Sequence, residues 1–232
     1  MGSTRLPGKV LKDLAGDTVL ARVVNRTRRA MLVQEVVVAT SDLPADDAIA
    51  QECERLSVAC FRGNEADVLD RYYRAAQQFP ADGIARITSD CPLIDPALID
   101  QHIRRLLDRW VQVDFVTSMA RPSYPLGLAV EVMPADVLVR MHRMSDTDEL
   151  REHVTTLAYV KPDLFRIDHV SHAQDLSHLR WTVDTREDLE LVRLIVQHFG
   201  NDVFSWNEVL SLVRQHPHWM EINRHIPQKS VL

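Results

Sequence analysis

Between residues 19 and 118 the chain alternates short β-branched runs with longer segments of helical period, the sequence form of repeated βαβ units. The runs at 35–39 (EVVVA), 58–61, 84–88 and 115–118 are each short and bounded by polar residues, Gly or Pro, as buried strands are. Between them Ile49, Cys53 and Leu56, then Val68, Leu69, Tyr72 and Tyr73, then Leu98, Ile99, Ile103, Leu106 and Trp110 recur at three-and-four spacing. Each set is one apolar helix stripe, and its aromatics read as core packing. The expected fold is α/β, a mostly parallel sheet flanked by helices.

The alternation breaks at about 119–178, where Pro122, Pro125, Gly127 and Pro134 surround a strand-like 128–133. This stretch is expected to be an insertion, a substrate lid or a dimer arm. Order returns with a strand at 179–183, a helix at 186–198 capped by Thr185 with Asp188 in the acidic position, and a last helix starting near Ser205. No repeat or linker divides the 232 residues, so a single domain is expected. A chain of this length buries enough surface to fold without disulfides or a structural metal.

The net charge of -6 argues against nucleic acid as the main partner, so any anion must be met by a local cluster. No apolar run nears the roughly 20 residues of a membrane helix, and residues 1–5 carry no signal-peptide core. Neither membrane insertion nor export is expected. Cys53, Cys60 and Cys91 form an odd set without CxxC spacing, which suits a reducing compartment, and the cytoplasm is the expected address.

Three segments could carry chemistry. Gly2-Ser3-Thr4-Arg5-Leu6-Pro7-Gly8-Lys9 is a small-residue loop with two cations, Arg5 and Lys9. Small residues let backbone N–H groups approach phosphate oxygens, and the cations supply the charge a triphosphate requires. The same stretch also reads as a disordered basic terminus, and it lacks the Ser or Thr that follows the Walker lysine. In Arg86-Ile87-Thr88-Ser89-Asp90-Cys91-Pro92 a strand ends in an acid, and ligands of open α/β sheets collect beyond strand carboxyl ends. Arg180-Trp181-Thr182-Val183-Asp184 ends the same way. Together Asp90 and Asp184 could hold one Mg²⁺ against phosphates, whereas either alone reads as a loop acid or a cap. Asp95 reads as the cap of a helix with Pro96 in its first position.

Nine of the ten histidines follow residue 140, but no HExxH motif occurs, and His169, His172 and His178 fall in a loop-like stretch. His153, within Arg151-Glu152-His153, is the exception, because consecutive charged groups there could read an anionic substrate. Cys91 beside Asp90 reads as a packed small residue, since a neighbouring carboxylate raises a thiol's pKa.

In order, MGSTRLPGKVL, VVVATSDLPADDAI, FRGNEADVLDRYYRA, RITSDCPLIDP, LREHVTTLAY, DLSHLRWTVDTREDLELVR and INRHIPQK give the chain a resemblance to the cytidylyltransferase-like family of spore-coat polysaccharide biosynthesis proteins. That family is related to the CMP-Kdo and CMP-acylneuraminate synthetases. The resemblance implies a Rossmann-like or glycosyltransferase-A-like fold, CTP as donor, a sugar or sugar-acid acceptor, Mg²⁺ and a homodimer. It implies that Gly2, Ser3, Arg5 and Lys9 form the CTP phosphate loop and that Asp90 and Asp184 bind Mg²⁺. Thr40, Gly63, Asp67 and Arg71 match segments lining the nucleotide site, and Arg151, Glu152 and His153 match the acceptor side.

The chain departs from the pattern in three places. The family has an apolar strand ending in Ala-Arg ahead of the position of Met1, so the expected sheet lacks its first strand. Where the family reads Pro-Asp-Gly-Leu-Asp-Val-Glu, this chain has Leu126 and Ala129 in place of two acids, which leaves Glu131 as the remaining acceptor-side carboxylate. Ser89 stands where a glycine usually precedes the metal-binding acid. The expected activity is CMP transfer from CTP with release of pyrophosphate. A catalytically silent nucleotide-binding relative is the alternative, and a glycosyltransferase of the same broad fold is a further one.

Overall fold

The computed structural model describes residues 1–228, so Lys229 of the INRHIPQK motif lies outside the described residues. The expected alternation forms: α1 (Val19–Thr27), β1 (Val37–Ser41), α2 (Asp47–Arg55), β2 (Ala59–Gly63), α3 (Val68–Gln78), β3 (Gly83–Arg86), α4 (Pro96–Leu107) and β4 (Phe115–Thr117). Then come β5 (Glu131–Pro134), α5 (Ala135–Met144), α6 (Asp148–Glu152), α7 (Thr156–Val160), β6 (Ile167–His169), α8 (Arg186–Phe199), α9 (Trp206–Gln215) and α10 (Pro217–Met220). Helix starts follow side-chain chemistry. Thr18, Asp67 and Asp95 accept first-turn N–H bonds of α1, α3 and α4, and Thr185 and Ser205 close capping boxes on α8 and α9.

The strands form two sheets. β1 and β2 pair in parallel, from Val37 opposite Ala59 to Ser41 opposite Gly63. The second sheet has the order β3-β5-β4-β6, with β5 antiparallel to both neighbours and β4 parallel to β6. The α/β class and the mostly parallel sheet are as expected, with β5 alone running against its neighbours. The reason is local. The chain from 118 to 130 stays at the carboxyl end of β4, where the Ser118 N–H donates to Val130 O at 3.3 Å, so β5 must run back. Among the described residues no ladder joins the two sheets. The stretch 119–178 supplies β5 and β6 to the larger sheet as well as α5, α6 and α7.

Two sequence expectations are corrected. His169 lies in β6 rather than in a loop, because 167–169 adds to the free edge of β4. The stretch 179–183 is no full strand: it makes one bridge, Leu126 with Arg180. The Leu126 N–H donates to Leu179 O at 2.8 Å and the Trp181 N–H to Leu126 O at 2.7 Å, after which Gly127 turns the chain away at φ +108. A Cβ on Gly127 would lie 2.7 Å from the Thr182 nitrogen and from the Trp181 carbonyl carbon. Gly127→Ala therefore meets rigid backbone in a left-handed conformation. It is expected to lower unfolding free energy by at least the ~1–3 kcal/mol of core overpacking, measured by urea denaturation.

The largest apolar cluster packs α4, α8 and α9 on the second sheet through Leu98, Ile99, Val116, Val192, Ile195 and Trp181. Within it His102 is fully buried, with Nδ1 2.7 Å from Leu98 O and Nε2 unpartnered among the described residues. Burial holds its pKa below the usual 6.5, with the Leu98 bond opposing the shift only in part. The unfolded chain thus takes up this proton at a higher pH than the folded one. Stability from this site is full above about pH 6.5 and falls as pH drops toward the folded value. Thermal melts at about pH 7.5 and 5.5 are expected to show a lower midpoint in acid, and His102→Leu a smaller drop.

Candidate active site

β3 and β4 run in the same direction, so Arg86, the turn that follows it and Thr117 reach one end of the second sheet. Glu131 opens β5 at that end, and His169 closes β6 there. Ligands collect at this end of an open α/β sheet.

Main-chain bonds bring the two strand-end acids together. The carbonyl of Asp90 accepts from the Val183 N–H at 2.8 Å and from Thr182 Oγ1 at 3.1 Å, which fixes Asp184 one residue beyond the contact. Cys91 N–H donates to Thr88 O at 3.2 Å and closes the turn that presents Asp90.

The N-terminal loop reaches across this pair. Gly8 adopts φ 66 and leads into a short 3-10 turn, Lys9–Leu11, from which the Lys9 side chain enters the site. Its Nζ donates to Asp90 Oδ2 and to Asp184 Oδ1, each at 2.7 Å. One ammonium thus bridges the two carboxylates. Arg5 pairs with Asp184 Oδ2 at 3.0 Å, and Arg180 donates to the same oxygen at 2.7 Å. Burial pulls the Lys9 pKa down, but Asp90 and Asp184 outweigh it and leave the ammonium raised. Burial likewise raises Asp184, and Lys9, Arg180 and Arg5 overcome it, leaving the carboxyl lowered. Cys91 is buried, and burial together with Asp90 pushes its thiol up, so it is no nucleophile.

Arg5, Lys9, Asp90 and Asp184 thus form one cluster. Gly2 lies on the same loop beside the β2–α3 connection, its Cβ position 3.2 Å from Glu65 Oε1, and Ser3 Oγ accepts from the Leu6 N–H at 3.4 Å. Along that connection Gly63, Asn64, Asp67, Asp70 and Arg74 line a cavity of about 480 Å³. Arg71 packs its stem against Gly63 and donates to Asn64 O at 3.0 Å, and burial lowers its pKa. Thr40 is buried, donating to Asp46 Oδ2 at 2.8 Å.

The acceptor-side residues make separate sets of contacts. Glu131 stands in register opposite Arg86 and pairs with it, and also accepts from Tyr159 and from Thr155 Oγ1, the latter at 2.8 Å. Arg151 donates to Asp67 Oδ2 at 2.7 Å and to Ser145 O at 3.0 Å, tying α6 to the start of α3. Glu152 and His153 are exposed. Sequence reasoning missed Arg180 as a site residue and took Asp188 only as a cap. The one available signal was a cation inside the apolar run Leu179 to Val183.

Among the described residues no three His, Cys, Asp or Glu side chains converge as a metal site. A divalent ion at Asp90 and Asp184 would have two carboxylate donors and complete its shell with phosphate and water. That donor set suits Mg²⁺, which keeps several waters and takes one or two carboxylates plus substrate phosphates.

The cytidylyltransferase family model matches residues 1–207. The spore coat polysaccharide biosynthesis protein SpsF of Bacillus subtilis (strain 168) is 33% identical, over 94% of this chain and 92% of its own length. A cytidylyltransferase structure from Leptospira borgpetersenii serovar Hardjo-bovis superposes with a TM-score of 0.92 at 26% identity, covering 99% of this chain and 95% of that one. The structure of a CMP:2-keto-3-deoxy-manno-octonic acid synthetase complexed with CTP shares the fold, with a TM-score of 0.63 at 19% identity over 85% of this chain and 95% of that one.

Proposed function

We propose that this chain, which belongs to the cytidylyltransferase family, transfers CMP from CTP to a sugar or sugar acid with release of pyrophosphate, in the service of surface polysaccharide synthesis. The observation that carries the reading is the Lys9 ammonium spanning Asp90 and Asp184, two acids remote in sequence and clamped together by the main chain.

In this reading Gly2, Ser3, Arg5 and Lys9 cradle the triphosphate, and Thr40, Gly63, Asp67 and Arg71 line the rest of the nucleotide site. Asp90 and Asp184 hold Mg²⁺, which neutralises phosphate charge and makes the α-phosphorus more electrophilic when bound. An acceptor hydroxyl oxygen bonds to that phosphorus, pyrophosphate leaves with the electrons of the broken P–O bond, and the hydroxyl proton is released. Arg5 and Lys9 stabilise the charge gathering on the departing phosphates. Glu131, Arg151, Glu152 and His153 serve the acceptor side, Glu131 by holding Tyr159 and Thr155, and Arg151 by holding α6 against α3. A homodimer and a cytoplasmic address belong to the same proposal. The three unpaired cysteines are in keeping with that address, and light scattering checks the assembly.

Pyrophosphate release from CTP, assayed with Mg²⁺ and a panel of sugars and sugar acids, tests the reading. Release that requires both the acceptor and the divalent ion is the expected result. Nucleotide binding without release across the panel would make the protein a silent relative, and a preference for nucleotide-sugar donors over CTP would make it a glycosyltransferase.

A further inference from the structure

Asp184 is gripped from behind more elaborately than a loop acid requires. The Arg180 side chain is 7% exposed, yet it carries a guanidinium between Leu179 and Trp181. Its Nε donates to Asp188 Oδ1 at 2.8 Å, and one Nη donates both to Asp188 Oδ2 at 3.0 Å and to Asp184 Oδ2 at 2.7 Å. Asp188 is fully buried. Its Oδ2 also accepts the backbone N–H groups of Asp184 and Thr185, each at 3.0 Å. Asn223, 1% exposed and far along the chain, donates from Nδ2 to Asp188 Oδ1 and to Arg180 O, each at 2.9 Å.

A capping box needs only the bonds to the first-turn N–H groups. The bidentate arginine and the asparagine exceed that need. A buried ion pair adds little net stability over an apolar pair of similar shape, so stability alone does not account for them. Their effect is geometric. Asp188 holds Asp184 twice, at its amide directly and at its carboxylate through Arg180. With Arg180 and Arg5 both on Oδ2, Oδ1 is the oxygen left facing Lys9 and Asp90. Only the planar fork of arginine can engage both carboxylates in this way; a lysine ammonium is a point donor.

We propose that Arg180, held by Asp188 and Asn223, is a positioning residue that ties down one oxygen of Asp184 and presents the other as its single donor to the catalytic cation. The inference rests on the nucleotidyl-transfer reading above, because it assumes that Asp90 and Asp184 receive a divalent ion with the nucleotide. It also gives Asn223 of the INRHIPQK motif a role at the site.

Mn²⁺ is the probe, titrated against the full chain with CTP present and followed by the electron paramagnetic resonance of free Mn²⁺. Arg180→Lys and Arg180→Gln are expected to weaken Mn²⁺ binding by ~10–100-fold, the usual cost of losing a partner that orients a metal ligand. Asn223→Ala is expected to weaken it in the same direction by a smaller factor. Val196→Ala, a cavity in the buried face of α8, is the control for general destabilisation and should leave Mn²⁺ affinity within about twofold while lowering the melting temperature. Wild-type affinity in the Arg180 variants overturns the inference. If those variants do not fold, Asn223→Ala decides: weakened binding supports the bracket and unchanged binding overturns it. Failure of the wild-type chain to bind Mn²⁺ with CTP would instead overturn the parent reading, and this proposal with it.

Discussion

Asp184→Asn and Asp90→Asn are each expected to cut pyrophosphate release from CTP by ~10²–10³-fold, the scale on which removal of one preorganised charge-stabilising group lowers turnover. The substitutions keep shape and volume and remove one negative charge. In the wild-type chain Arg5, Lys9 and Arg180 face Asp90, Asp184 and Asp188, so the cluster balances before any substrate enters. A triphosphate brings several more negative charges, and two carboxylates able to accept a divalent cation are what let the site take them up. With one acid gone, Lys9 keeps a single partner and the cation loses half of its protein donors. Steady-state rates over a range of Mg²⁺ concentrations check this, with circular dichroism to confirm that the variants fold. A rate within threefold of wild type for either variant would remove that acid from the cation site.

Glu131→Ala is expected to be the most destabilising single change at the carboxyl end of the sheet. Glu131 is 1% exposed and pairs across the β3–β5 ladder with Arg86, which is itself 14% exposed. Burial alone would lower the Arg86 pKa, but the facing carboxylate more than restores it, so the guanidinium stays charged in the interior. Truncating the acid leaves that charge without a counterion, and one-sided loss of a buried pair costs about 3–5 kcal/mol. Tyr159 and Thr155 lose their acceptor as well. Chemical denaturation measures the loss. Replacing both partners by apolar residues, Arg86→Met with Glu131→Leu, should recover much of it, because the uncompensated charge is then gone. A single variant as stable as wild type would show that Glu131 is dispensable to folding.

The contrast between these two sites shows what the sequence carried. The four strand candidates between 19 and 118 form because each is a local matter of β-branched runs and punctuation. Arg5, Lys9, Asp90 and Asp184 were legible because strand-end acids and cations in a small-residue loop have no packing role to mask them. Glu131 was legible as a surviving acid, but its partner was not: cross-strand register depends on how the 118–130 segment turns, and no short window records that. Arg180 was hidden for the opposite reason. Between Leu179 and Trp181 it reads as part of a strand, and its partners Asp188 and Asn223 declare themselves only when the C-terminal segment folds back. The single bridge at Leu126 escaped notice because a local pattern shows extended chain without showing whether a neighbour is there to pair with it.

The tie from the Val183 amide to the Asp90 carbonyl divides the demands on one residue. The isopropyl group of Val183 answers to the hydrophobic interior, whereas its N–H sets the span between the two acids. Drift at this position is therefore filtered by volume alone so long as the amide survives. Proline, which lacks that hydrogen, is the replacement that would carry a change of packing directly into the chemistry.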